Sequence, residues 1–350
     1  MPHPSPAPVI HSTTLQELAG LRGLVEDLRQ PRPALYALDI GVSALLGWAA
    51  FVLAVYTSGP WMRITAAVVS VFAAYRALAF IHELFHQHAM HRVRHFWHAV
   101  IGVPLLLPLL LYLPIHQAHH NANTYGTPQD GEYDHFVGRQ KFMLLKLFAL
   151  NALLPLALLF RFGVLTPLAA VVPAIRVKVI PQFLHLALRV PFVAPELSQR
   201  HQKEALRVEL ACMLFAWLVV AGWSAGWHDH VYAWAILVVS IGTLNTARAA
   251  ASTHLYDERL EGRATMAQVL DSTNVVSRAP LTLLLCPAGL QFHALHHMFP
   301  HLPYHNLRTA HERLLAHLPA SSDYHLSTAK SLYRGLRRLW PRQVAPRRSI

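Results

Sequence analysis

The sequence predicts an all-α integral membrane protein. Four transmembrane helices form two hairpins, and a cytoplasmic helical cap carries the histidine boxes. Three observations predict this. The 350 residues are 54% hydrophobic and only 14% charged, against roughly 25% charged in an ordinary soluble domain. The apolar runs are long and come in pairs joined by short turns. Of the 25 histidines, several cluster at the ends of those runs.

Residues 1–33 read as a cytoplasmic N-terminal segment. A Pro-rich start leads into an amphipathic helix expected over residues 14–30, with Thr14-Leu15-Gln16-Glu17 as its capping box. No signal peptide is visible. The membrane domain is expected over residues 34–307. A spanning helix needs about 20 mostly apolar residues. Residues 34–57 and 61–81 meet that need and are joined by the tight turn Ser58-Gly59-Pro60. Residues 206–227 and 231–252 form the second pair, joined near His228-Asp229-His230. Lys and Arg gather before the first pair, between the pairs and after the second. The positive-inside rule then places both termini, the central segment and the basic tail, residues 308–350, in the cytoplasm. The expected location is a bacterial inner membrane.

Two further apolar stretches are broken by proline. Residues 100–115 contain Pro104, Pro108 and Pro114; residues 147–175 contain Pro155, Pro167, Pro173 and also Arg161. Both read as re-entrant or interfacial segments, for a geometric reason given below. The net charge of +12 suits anionic lipid headgroups or an acidic partner. Nucleic-acid binding is not expected, because the basic residues are scattered among apolar runs. Cys212 and Cys286, the two cysteines, sit in or beside such runs, which argues against a disulfide framework or a thiolate metal site.

The chemistry lies in the histidines. His82 and His86 are four apart and share one helical face where the second span ends. His116, His119 and His120 form an H-x-x-H-H cluster, a spacing that again shares a face. The pattern recurs at His293, His296 and His297, and His254 stands alone at the end of the fourth span. Nine imidazoles exceed the four to six ligands that fill one metal's shell, so two metals are implied. Imidazole suits zinc, copper, iron and nickel, and does not name the metal. Had residues 100–115 crossed the bilayer, the first two boxes would be about 30 Å apart; a shared site requires that both ambiguous segments return. Other histidines take blander roles. On a continued helix, His88, His91, His95 and His98 point away from the His82 face. His228 and His230 fall on the outer side. His135, His301 and His305 are near boxes without belonging to them.

His82-Glu83-Leu84-Phe85-His86 also fits the zinc-peptidase pattern H-E-x-x-H, with Glu83 as base. That reading leaves both H-x-x-H-H boxes unexplained. A metal transporter or sensor would place ligands within the spans rather than at their ends.

Over most of residues 35–315 the sequence resembles the integral-membrane fatty acid desaturase superfamily, which includes acyl and alkane hydroxylases. Phe292 to Pro300 followed by Pro303-Tyr304 resembles its third box. His116 to His120, followed by Asn121 to Asp134 as its acidic follow-on, is similar to the second box, and His82-x-x-x-His86 to the first. Residues 248–254 look like the segment that supplies the extra histidine. The first box departs from the common form, with Glu-Leu-Phe where Asp and Gly are usual. The resemblance implies a non-haem di-iron centre held by His82, His86, His116, His119, His120, His254, His293, His296 and His297. It implies an acyl lipid substrate, O2 as co-substrate and two electrons per turnover. No His-Pro-Gly-Gly haem motif is present, so the electrons are expected from a separate ferredoxin, cytochrome or reductase. Glu83, Asp130, Glu132 and Asp134 are candidates to orient ligand imidazoles, with solvated surface carboxylates as the simpler reading. On this scaffold oxidation ends in an alkene, an alcohol or, beside a free carboxylate, loss of CO2 to a terminal alkene. The surroundings of the third box favour desaturation.

Overall fold

The computed structural model describes residues 20–87, 89–127, 129–132, 143–181, 183, 199–254 and 265–333. Helix α1 (Pro33–Tyr56) and helix α2 (Pro60–His86) are antiparallel neighbours. Each starts with a proline in its first turn, where the missing N–H costs nothing. Gly47 lets the two backbones close up: a Cβ there would stand 3.0 Å from the Ala74 nitrogen. Two hydrogen bonds define the ends of the bundle. Tyr36 Oη donates to Glu83 at 2.6 Å, tying the start of α1 to the end of α2. At the far end Tyr56 Oη and His230 Nε2 are 3.0 Å apart.

Helix α2 stops at His86, and the chain restarts as α3 (His91–Trp97), continued by the π-helical turn His98–Gly102. It then reverses through a turn in which Leu106 takes φ 56°. Helix α4 (Leu109–His120) follows, with 12 residues, too short to span. Trp48 Nε1 donates to Val100 O at 2.7 Å, and Trp234 Nε1 to Pro104 O at 2.8 Å. The chain therefore runs in among the long helices as far as Pro104 and comes back to deliver His116. The break after His86 also resets the helical phase. His91 and His95 are exposed, but His98 is buried against Trp97, where an outward position was expected.

The next segment differs from expectation. Helix α5 (Met143–Phe160), a π-helical turn (Arg161–Leu165) and α6 (Thr166–Val171) run on without a break. Leu145–Val171 is 27 residues long with mean hydropathy 1.9, so the described residues hold five helices long and apolar enough to cross a membrane, not four. Pro155 is accommodated inside α5, and Pro167 sits in the first turn of α6, where proline is tolerated. Arg161 does not interrupt the apolar run because Glu209 of α7 (Gln199–Ser224) neutralises it at 2.8 Å. Arg176, in the π-helical turn Ile175–Val179, meets the same carboxylate at 2.8 Å. The chain thus leaves Glu209 after Arg161 and returns to it. Helix α8 (His228–Ser252) completes the long elements and packs along α5, where Asn151 Nδ2 donates to Thr246 Oγ1 at 3.0 Å. The outward faces carry Leu38, Leu45, Trp61, Leu214 and Ile236, the apolar surface that lipid tails cover.

A second apolar core lies beyond the histidine end. It is built from α9 (Thr265–Asp271), α11 (His293–Met298) and α12 (Leu307–His317), with the short α10 (Pro280–Leu285) leading into them. A two-residue parallel pair, β1 (Asn274–Val275) with β2 (Thr328–Ala329), closes it. The start of the expected basic tail is therefore a folded helix, since Leu307, Ala310, His311 and Leu314 are buried. Its amphipathic pattern seats it on this core. The amphipathic helix expected over residues 14–30 ends early: helical turns reach residue 23, and Glu26–Leu28 form a 3-10 turn. The capping box at Thr14, together with His88, Asp134, His135 and residues 334–350, lies outside the described residues. Cys212 and Cys286 are both free and buried.

Candidate metal centre

Three helices and one loop bring the histidines together at one end of the bundle. The end of α2 supplies His82 and His86, α4 supplies His116, His119 and His120, and α11 supplies His293, His296 and His297. His254 follows the last turn of α8. Helical spacing of three and four residues sets each box on one face. All nine fall into two groups. His82, His86, His116, His120 and His296 form one; His119, His254, His293 and His297 form the other. Within each group the ligand atoms lie within 4.8 Å of one another.

The nitrogens converge. His86 Nε2 is 2.8 Å from His116 Nε2, and His120 Nε2 is 3.1 Å from His296 Nε2. In the second group the Nε2 atoms of His119 and His297, His297 and His293, and His293 and His254 are each 3.1 Å apart. The outer ring nitrogens explain why Nε2 points inward. His119 Nδ1 donates to Asp130, at 2.8 Å to Oδ2 and 3.0 Å to Oδ1. His116 Nδ1 donates to Glu132 Oε1 at 2.7 Å, with Tyr112 Oη beside it at 2.8 Å. Tyr125 Oη donates to Asp271 at 3.0 Å, which leaves His254 Nδ1 to donate to Tyr125 at 3.1 Å. Gln268 Oε1 accepts from His297 Nδ1 at 3.3 Å. The Nε2 atoms of His116, His119, His254 and His297 are then bare lone pairs. Lone pairs brought this close repel unless a cation lies among them, and a metal holding imidazoles at about 2.0–2.1 Å fits that need.

Two further observations support the fit. Both ring nitrogens of His82 are buried without a hydrogen-bond partner, as are His293 Nδ1 and His296 Nδ1. A buried polar atom left unsatisfied costs about 1–3 kcal/mol. Burial also pushes His116, His120, His254, His293, His296 and His297 well below the ordinary imidazole value, and neighbouring imidazoles add to that. Neutral imidazole is the ligating form. His119 is the exception: burial lowers it, but the Asp130 and Glu132 carboxylates outweigh burial and raise it.

The carboxylates divide. Asp130 is fully buried and also accepts from the Gly126 and Glu132 nitrogens at 3.0 and 3.1 Å. Glu132 is largely buried. Neither is a solvated surface group, because each is drawn in by a histidine Nδ1–H. Glu83 touches no histidine of either group; it accepts from Tyr36 Oη and from the Tyr304 nitrogen, at 3.0 Å. A face one residue round from His82 points it away from the centre. His301 and His305 lie outside both groups, on the His86 carbonyl (3.3 Å) and on Asn306 (3.0 Å). Tyr112, Tyr125, Gln268, Asp271 and Ser272, whose Oγ lies 3.1 Å from His254 Nδ1, were not singled out from sequence. Tyr112, four residues before His116 on one helix, was within reach of a spacing argument. Nothing in the sequence marks Tyr125 or Asp271.

Comparisons agree with this geometry. A family model described as fatty acid desaturase matches residues 58–329. A ceramide hydroxylase of Caulobacter vibrioides (strain NA1000 / CB15N) is 36% identical over 326 residues, covering 91% of this chain and 92% of that protein. With its histidine boxes inside the matched region and the match covering most of its length, the chain belongs to the fatty acid desaturase family.

Proposed function

We propose that this protein is a membrane-bound, O2-dependent lipid hydroxylase acting on a ceramide or a closely similar acyl amide. The observation that carries the reading is the pair of buried histidine groups, five and four residues strong. The near end-to-end similarity to a ceramide hydroxylase favours hydroxylation over the desaturation that the third box suggested.

An unactivated C–H bond yields to no side-chain acid or base. Two irons, when bound, would supply the redox chemistry with O2 that such a bond requires. His82, His86, His116, His120 and His296 would hold one, and His119, His254, His293 and His297 the other. The chain's own work is positional. Asp130, Glu132, Tyr125 and Gln268 fix the tautomer and orientation of four of these rings. Burial keeps water from the reacting carbon. The overall balance consumes O2, two electrons and two protons, and yields the alcohol and one water. A separate ferredoxin, cytochrome or reductase delivers the electrons, and the basic cytoplasmic side suits an acidic donor. Both termini and the centre belong on that side by the positive-inside rule.

The experiment is product analysis. The protein is expressed with a redox donor and supplied with ceramide and with fatty acids, and the products are read by mass spectrometry. Gain of one oxygen supports the reading. Loss of two hydrogens with formation of an alkene overturns it in favour of desaturation.

A further inference from the structure

We propose that Arg248 binds an acceptor oxygen of the substrate lipid, and that this makes the enzyme select a lipid oxidised close to its polar group. The inference deepens the hydroxylase reading and rests on it.

Arg248 lies inside the apolar helix α8, with only 9% of its surface exposed. It forms no ion pair among the described residues. Its hydrogen bonds go to a neutral acceptor: Nε and one Nη meet Asn245 Oδ1 at 3.2 and 3.1 Å. A guanidinium carries five N–H donors and no acceptor. A buried cation inside a spanning helix is costly and marks a site by default. The carboxylate whose charge acts on it, Glu132, is committed to His116 at 2.7 Å. Tyr75, Tyr112 and Cys286 also act on it electrostatically, and Tyr75 interacts with it as a hydrogen-bond acceptor.

These groups form a polar layer beneath the histidines. Tyr75 precedes His82 by seven residues on α2, Tyr112 precedes His116 by four on α4, and Arg248 precedes His254 by six on α8. At 1.5 Å per residue the backbones of this layer sit roughly 6–10 Å from those of the ligands, toward the middle of the bundle, while the Tyr112 hydroxyl reaches back to His116 at 2.8 Å. Tyr75 Oη donates to the Leu285 carbonyl at 3.0 Å, so it can only accept from Arg248. A hydrocarbon tail gains nothing from such a layer. A lipid whose amide carbonyl or carboxylate reaches Arg248 satisfies the spare donors, and places the next few carbons of its chain at the histidine groups.

The test uses wild type, Arg248→Gln and Arg248→Lys, each with its metal content measured. KM and kcat are determined for a ceramide, the matching free fatty acid and an unsubstituted alkane of the same length. Arg248→Gln should raise KM about ten- to a hundredfold for the oxygen-bearing lipids, change kcat less and leave the alkane unaffected. The lipid with the larger rise tells whether the bound oxygen is an amide carbonyl or a carboxylate. Arg248→Lys keeps the buried charge without the fork and should fall between. An unchanged KM for both lipids, or an equal loss on the alkane, overturns the proposal. Displacement of a fluorescent acyl amide probe from the same proteins reads Arg248 even if wild type oxidises nothing. Weakening of tenfold or more in Arg248→Gln supports the assignment; equal binding overturns it, separately from the hydroxylase reading.

Discussion

His119 Nε2 and His297 Nε2 stand 3.1 Å apart although 178 residues separate them in the chain. Each has its outer nitrogen engaged, His119 by Asp130 and His297 by Gln268. The contact then brings two lone pairs together, a repulsion that a metal ion held between them would relieve.

Asp130 should control that cation through His119. In Asp130→Asn the charged acceptor at Nδ1 is lost, and ring orientation and basicity fall with it. Metal affinity of the purified protein should drop about 10- to 100-fold in a chelator competition. Equal affinity in the variant would show that His119 is not oriented by Asp130.

Glu83 separates this account from a zinc peptidase. Its carboxylate fastens Tyr36 and the Tyr304 nitrogen, and so pins the segment after the third box to α2. Glu83→Gln should keep its metal and lose about 1–3 kcal/mol of stability, seen as a lower melting temperature in detergent. Peptide hydrolysis by wild type that vanishes in Glu83→Gln would restore the peptidase.

How far the sequence disclosed the site can be judged from particular residues. The eight box histidines were legible because helical period turns spacing into a shared face, and His254 because it stands at the end of a span and in a segment that resembles the family's. The inner ends of α2 and α8 were legible because the first box and His254 stand there. Arg161 was misleading: its neutralising partner Glu209 lies 48 residues away on another helix, and no local pattern reveals a pairing at that distance. His98 was misplaced because the helix breaks at Gln87 and the angular count does not survive a break. Asp130 and Glu132 looked like solvated acids, since their partners are made only by the fold.

Arg161 and Glu209 carry a stability prediction. Both are almost fully buried, at 4% and 3% exposure. Glu209→Gln leaves Arg161 and Arg176 without their counter-charge, and removing one partner of a buried pair costs about 3–5 kcal/mol. Thermal unfolding in detergent should show a fall of several degrees. An unchanged transition would mean that water or lipid headgroups reach the pair.

Acid should dismantle the protein from the histidine end. His311 is pushed down to about 4 by burial, with Arg308 and His325 adding to it. Six site histidines lie well below their ordinary value for the same first reason. The unfolded chain, with imidazoles near 6.5, then binds more protons than the folded one. Stability from this source is complete above about 6.5 and is lost as pH falls toward 4. Metal retention and helical circular dichroism should decline together across that window; retention unaffected by acid would contradict it.

The most direct test of the central claim is elemental analysis of the purified protein. Two histidine groups predict close to two irons per chain, with His296→Ala losing metal from the five-histidine group and losing activity. One zinc per chain, or a fully active His296→Ala, would contradict the account.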